Sequence, residues 1–328
     1  MTYSSGGLIQ AADYNGFVND TAGANINATW GSAFYGQTNL STVSQLGTVT
    51  APQWASLVNT LTSLGTHTNT TLTARTAPTS GQTIGILTAL NTDITNVYTN
   101  RYNAYAVGSQ YTAWTGTNSK TTQTGTSGGA TWTITFTNTV TWTSSAAASY
   151  FFNAGGLIKI DVAKSSTGLT GDPEWNDLAT TLCGDIYVSG LATSHTIAGT
   201  AYTGTTKIGG TGTPNTLSTG TGWDALVAGA AETIVYKQFA DTAPYTSNYI
   251  QHTLAKNAAS TALTITTTWV AADTNVPPVG GTDPISGGTA ASGATPGTAP
   301  CTIVTYYPPE TTNLTNTWGA PTVVASVA

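Results

Sequence analysis

Every odd-numbered residue from 131 to 143 is threonine, and Trp132, Ile134, Phe136, Val140 and Trp142 stand between them. A period of two with bulky apolar groups on one side suits an extended strand with one buried face and one wet face. β-Branched threonine favours that backbone, and its hydroxyl keeps the outer face hydrated without charge. This segment is the clearest strand in the chain, and a strand of this kind demands partners and a core to cover.

The same economy of charge runs through the whole sequence. Threonine supplies 71 of 328 residues, whereas Asp, Glu, Lys and Arg together make up only 7%, against about 25% in an ordinary domain. With a formal charge of −6 and eight Lys and Arg in all, the chain lacks the basic footprint that phosphate neutralisation requires, so no nucleic-acid partner is expected. Nor is it a charge-driven disordered tail, because 39% hydrophobic residues, including nine Trp and fifteen Tyr, can offset the entropy of ordering. No run approaches the roughly 18 apolar residues of a membrane span. The start, Met1 to Gly7, lacks the basic and apolar regions of a secretory signal. Synthesis in a reducing cytosol is therefore expected. Cys183 and Cys301 have no metal-type spacing and read as small buried hydrophobes, with a disulfide as the alternative.

Residues 1–105 read as helical. Thr50, Ala51 and Pro52 form a helix start, followed by Trp54, Leu57, Leu61 and Leu64 at 3-4-3 spacing, with Gly65 as the expected stop. A second helix is expected from about Ser80 to Tyr102. There Leu87, Leu90, Ile94 and Val97 repeat at 3-4-3, which suits either an oligomer interface of coiled-coil type or a core-facing amphipathic helix. A weaker helix covers Ala11 to Ala22. Residues 106–129 have linker or loop composition.

From residue 130 onward, strands are expected at 132–143, 157–162, 185–189, 233–238, 249–256, 263–270 and 301–307. A helix is expected at 174–182, with Trp175, Leu178 and Leu182 on one face. The fold class is α+β, mainly β: an N-terminal helical segment followed by an antiparallel β-sandwich with one inserted helix. Residues 277–300 form a long Gly/Pro-rich loop, functional or mobile. The first 127 residues are balanced in charge, so the whole excess of acid belongs to the β-rich part. Two domains with different surfaces are the simplest expectation.

Residues with chemistry are few and scattered. His67, His195 and His252 are far apart in sequence, without the clustering zinc needs; His67 is expected to hold a loop and His252 to be structural. Asp172, Glu174 and Asp177 form the densest carboxylate group. It reads first as helix capping and dipole matching, with a Ca²⁺ site or a glycosidic acid/base pair as alternatives. No nucleophile elbow, P-loop or dinucleotide fingerprint occurs, so no catalytic residue, cofactor or metal is assigned. The nine tryptophans read first as core residues; Trp114, Trp223 and Trp318 lie among Thr and Gly, with exposed stacking platforms for a sugar or a partner as the alternative.

The run Tyr150-Phe151-Phe152-Asn153-Ala154-Gly155-Gly156-Leu157-Ile158-Lys159-Ile160, followed by Trp175-Asn176-Asp177-Leu178 and Gly184-Asp185-Ile186-Tyr187, resembles a module of virion structural proteins of tailed phages, of the T4-like marine and cyanobacterial type. Leu8 to Asn15, Tyr35-Gly36-Gln37, Val49 to Leu57 and Ala243 to Asn248 are similar to the same proteins, so the resemblance covers most of the chain. Phe151, Phe152, Asn153, Gly155, Gly156, Trp175 and Leu178 carry it as packing and turn residues. It implies a non-enzymatic virion component of tail, neck or fibre that assembles with copies of itself and other virion proteins, with a host surface glycan as a further partner. A capsid decoration protein, a glycan-binding or glycan-cleaving sandwich and a cell-surface adhesin are the alternatives.

Overall fold

A computed structural model describes residues 10–20, 23–80, 87–107, 118–119, 132–164, 172–191, 193–272 and 301–327. Most of 106–129 and all of 277–300 lie outside the described residues, as does Trp114.

Four helices open the chain: α1 (Ala11–Asn19), α2 (Ile26–Trp30), α3 (Ala51–His67) and α4 (Leu87–Thr99). The backbone N–H of Thr50 donates to Gln53 Oε1 (2.8 Å) at the start of α3, relieving one of the donors that a helix N-terminus leaves unmet. Trp54, Leu57, Leu61 and Leu64 face inward as the spacing predicts. Gly65 does not stop this helix, which continues to His67. The missing side chain serves packing instead: a Cβ there would lie 2.5 Å from Leu72 Cδ1.

The β-rich body follows as β1 (Asn118–Ser119), β2 (Trp132–Thr141), α5 (Ser145–Asn153), β3 (Leu157–Ala163) and α6 (Asp172–Asp177), which runs into a π-helical turn, Leu178–Cys183. Then come β4 (Asp185–Val188), β5 (His195–Ile197), β6 (Thr200–Tyr202), β7 (Thr205–Ile208), β8 (Thr216–Leu217), β9 (Thr233–Phe239), β10 (Tyr249–Lys256), β11 (Ala262–Ala271), β12 (Cys301–Tyr307) and β13 (Thr322–Val327). Two helical segments therefore interrupt the strands, where one was expected. The additional one, α5, is started by Ser144, whose Oγ accepts the Ala147 N–H at 3.0 Å.

One sheet has five strands in the order β1-β12-β3-β4-β7, and the other has six in the order β13-β2-β11-β10-β9-β8. All their ladders are antiparallel. Alternation is strictest along β11, where buried and half-buried residues take turns from Leu263 to Ala271. One continuous hydrophobic cluster takes Ile134, Phe136 and Val140 from β2, Ile265 and Trp269 from β11, and Ile158, Ile160 and Val162 from β3. Tyr14, Trp54, Leu61 and Ile94 from the N-terminal helices belong to the same cluster.

Polar links tie the helices to the end of the chain. The Gln37 amide donates to Thr315 O (2.8 Å) and its Oε1 accepts from Thr315 N (3.0 Å); Thr317 Oγ1 donates to Tyr35 O (2.8 Å). His67, wholly buried at the end of α3, sets Nδ1 2.8 Å from Glu310 Oε1. Burial alone would raise the Glu310 carboxyl, but the His67 hydrogen bond and the Asn313 and Thr312 N–H groups outweigh it and hold it below the usual carboxylate range.

Candidate functional site: two outer sheet faces

The resemblance motif is interior. Phe151 and Phe152, at the end of α5, pack on Trp142 with ring centroids 5.4 Å away in each case, and Phe152 stacks on Trp223 at 5.3 Å. The Asn153 amide donates to Phe34 O at 2.9 Å, joining α5 to the N-terminal region. Gly155 sits at φ +91°, and a Cβ there would meet Ala104 Cβ at 2.7 Å, so the turn needs glycine on both counts. A Cβ on Gly156 would strike the Phe151 ring at 2.5 Å. Trp175 lies against Trp269 (5.8 Å) and Leu178 is fully buried. The motif therefore brings together a packing hub and a tight turn, with no ligand-facing group.

Leu90, Ile94 and Val97 are buried in the chain's own core, which corrects the oligomer-interface reading of that seam. The core consumes this face because α4 packs against α2 and α3, leaving no stripe for a second copy; Leu87 opens the helix. Trp223 and Trp318 are 2% and 1% exposed, so neither is a stacking platform. Trp223 is packed by Trp142 and Phe152, and Trp318 belongs to the main hydrophobic cluster. Asp172 to Asp177 form a short helix, and among the described residues no group of three or more His, Cys, Asp or Glu is placed to hold a metal. His252 is buried mid-strand, with Nδ1 2.9 Å from Thr267 Oγ1, and burial pushes its pKa down to about 3. Burial pushes the Cys183 thiol up to about 12, which keeps it protonated and unreactive.

The outer faces of the two sheets remain as broad surfaces, and they differ. On the six-stranded sheet, Thr135, Thr137 and Thr139 of β2 lie directly opposite Thr268, Thr266 and Thr264 of β11. One row crosses four strands as Ser326, Thr137, Thr266 and Thr253. Thr139 and Thr264 hydroxyls stand 3.5 Å apart, and Glu232 accepts from Thr253 (2.5 Å) and Thr266 (2.8 Å). Exposed Val324 and Ile234 lie in register with these rows. At one margin Lys237 covers the Tyr249 ring, 3.6 Å from its centroid.

The five-stranded sheet turns charge outward. Lys159 Nζ lies 3.7 Å from Asp161 Oδ2 and 3.5 Å from Asp185 Oδ2. Burial opposes the ammonium, yet the two carboxylates outweigh it and raise the Lys159 pKa. Burial raises Asp161 against the pull of Lys159, and Asp185 adds to the rise. Next to this triad stand Tyr187 and Tyr307, ring centroids 6.2 Å apart, beneath the β5–β6 hairpin, whose Ile197 and Tyr202 close a small cluster with Leu157. This face offers carboxylate acceptors, an ammonium donor and phenols within one patch, a set suited to hydroxyl-rich ligands. The scattered sequence positions hid it: only strand register assembles Lys159, Asp161 and Asp185.

No protein-family model matches the chain, and no curated protein or solved structure matches it either. No helix among the described residues is long and apolar enough to cross a membrane.

Proposed function

We propose that this chain is a non-enzymatic structural component of a tailed-phage virion, of tail, neck or fibre, that acts by multivalent self-assembly and docking. The observation that carries this reading is the outer face of the six-stranded sheet, where hydroxyl and methyl groups of Thr and Val occupy register after register. Away from Glu232 and Lys237, the threonine rows of such a face can be covered without desolvating ions, the dominant cost of burying charged surface. On a symmetric particle, weak contacts of this kind add through effective concentration. The resemblance of the Phe151–Gly156 and Trp175–Leu178 segments to phage virion proteins supplies the particle. Gold-labelled antibody imaging of purified virions tests the reading: label confined to tail, neck or fibre is the expected result. Label on the capsid would transfer the role to head decoration, and label on cells without particles would overturn the reading.

A glycan-binding role is the second reading, favoured by the Lys159, Asp161, Asp185, Tyr187 and Tyr307 patch. Retention of the purified chain on a glycan array, lost in Asp185→Asn, would support it; no retention on any glycan would remove it.

A further inference from the structure

We infer that a cleft beside the end of α3 binds a neutral sugar, as a single residue or as the terminal one of a glycan. This inference is independent of the virion reading, and it places a saccharide on the helical region, away from the charged patch of the five-stranded sheet. The cleft originates in how α3 stops. Asn69 takes φ +52°, the left-handed conformation that asparagine tolerates. Its N–H donates back to Thr66 O (3.2 Å), and the Thr70 N–H donates to Gly65 O (2.7 Å). These bonds satisfy two of the last carbonyls and fold the chain back over the final turn of the helix. Leu72 thereby fills the notch left by Gly65, where a Cβ would stand 2.5 Å from Leu72 Cδ1.

This turn, the last turns of α3 and Tyr105 enclose a cleft of about 360 Å³, at the lower end of the roughly 300–1,000 Å³ of ligand pockets. Along α3, Thr62 Oγ1 donates to Val58 O (2.9 Å) and Thr66 Oγ1 donates to Thr62 O (3.1 Å). With their protons directed into the helix, both hydroxyls keep lone pairs that can accept from a ligand. On the turn, the Asn69 amide and the Thr71 hydroxyl make no side-chain hydrogen bond among the described residues, so they can both donate and accept. Tyr105 closes the cleft, and its N–H donates to His67 O (2.8 Å), which fixes it against the helix end. Its side chain is 39% exposed and meets no other ring among the described residues. An open aromatic face beside hydroxyl and amide groups meets both needs of a sugar ring: an apolar surface for its C–H face and partners for its hydroxyls.

Charge selects among sugars. No charged side chain lines the cleft, and one wall is the C-terminal end of α3, which carries the negative pole of the helix dipole. An acidic sugar would lose hydration there with no cation to meet it, so uncharged sugars are favoured. Phosphorylated and sulfated ligands are disfavoured on the same ground. The five-stranded patch differs, because there the Lys159 ammonium stands beside two carboxylates.

Saturation-transfer NMR on the purified full chain, titrated with glucose, galactose, N-acetylglucosamine and glucuronic acid, tests the inference. Saturable binding of at least one neutral sugar, with glucuronic acid weaker, is expected. Loss of the ring in Tyr105→Ala should weaken binding at least about tenfold, whereas Tyr105→Phe keeps the ring and the binding. Asn69→Gly removes the amide without straining the left-handed backbone and should weaken binding about fivefold. Val227→Ala, an exposed change outside the cleft, leaves it unchanged. Far-UV circular dichroism confirms folding of each variant, and Asn69→Gly carries the test if Tyr105→Ala unfolds. No saturable binding of any neutral sugar, tighter binding of glucuronic acid, or binding that survives both cleft variants would overturn the inference. Binding lost in Asp185→Asn but kept in Tyr105→Ala would overturn it too and give the sugar to the five-stranded patch. Virion labelling is a separate readout: a chain that binds sugar in this cleft but is absent from particles defeats the virion reading alone.

Discussion

The two sheets share a core and differ outside. Inward, each presents mainly aliphatic and aromatic side chains, with Asn138, His252 and Thr267 among them on the six-stranded sheet and Thr302 on the five-stranded one. Outward, the six-stranded sheet shows threonine rows and the five-stranded sheet an ion triad bordered by tyrosines. Burial fixes what can face in, whereas the outer faces are free to be specialised. One carries mostly hydroxyls and methyls, the other a linked group of charges. The difference teaches that arrangement matters more than number: on the five-stranded sheet three ionic groups are linked to one another, whereas on the six-stranded sheet Glu232 binds hydroxyls and Lys237 a ring.

If the inner faces are equivalent, large-to-small changes on either should be equally severe. Trp269→Ala beneath the six-stranded sheet is expected to cost about 3–5 kcal/mol, and Ile160→Ala beneath the five-stranded sheet about 2–5. Urea unfolding of both variants checks this, and a tolerant Ile160→Ala would break the symmetry of the core.

Acid sharpens the contrast from within, because His252 lies under the six-stranded sheet. The unfolded chain binds a proton there near the ordinary pKa of about 6.5, but the folded chain does so only near about 3. The unfolded state therefore holds more protons in that window, and stability falls as pH drops through it, by at most about 1.4 kcal/mol per unit. His252→Asn should flatten that part of the pH–melting curve; an unchanged curve would mean that the imidazole titrates normally when folded.

Smaller effects belong to the outer faces. Lys159→Met leaves Asp161 and Asp185 facing each other and is expected to cost about 1 kcal/mol or less, since the carboxylates are a third exposed. The deficit should shrink at high salt as their repulsion is screened. Thr264→Val should change stability by no more than about 0.5 kcal/mol, with no salt dependence. Melting both variants at low and high salt compares the faces directly, and salt-sensitive Thr264→Val would contradict the description of that face as mostly hydroxyls and methyls.

Legibility in the sequence followed periodicity. Strands β10 and β12 lie where expected, and β2, β3, β9 and β11 differ by a residue or two at their ends. The β5–β6 hairpin escaped because its turn uses Ala198 at φ +50° before Gly199 at +82°, a conformation that Asn-Gly would advertise and alanine conceals. β13, with Val323 and Val324 adjacent and no partner pattern, is short enough to pass for a tail. Helix α5 left a signal, Ser144 ahead of an alanine run, but the aromatic string beyond it read as a motif rather than a helix end. The charged patch was illegible for another reason: Lys159 and Asp185 are 26 residues apart, and only cross-strand register unites them.

The links from Gln37 to Thr315 and from His67 to Glu310 span 278 and 243 positions. A ribosome delivers the N-terminal helices long before residues 310–317 exist, so for most of synthesis the Gln37 amide and the His67 ring face an unfinished seam. Contacts of such long range carry a high loop-closure cost and form late. A chain that lacks residues 310–317 cannot make these links, so the Gln37 amide and the His67 ring lose their partners on Thr315 and Glu310.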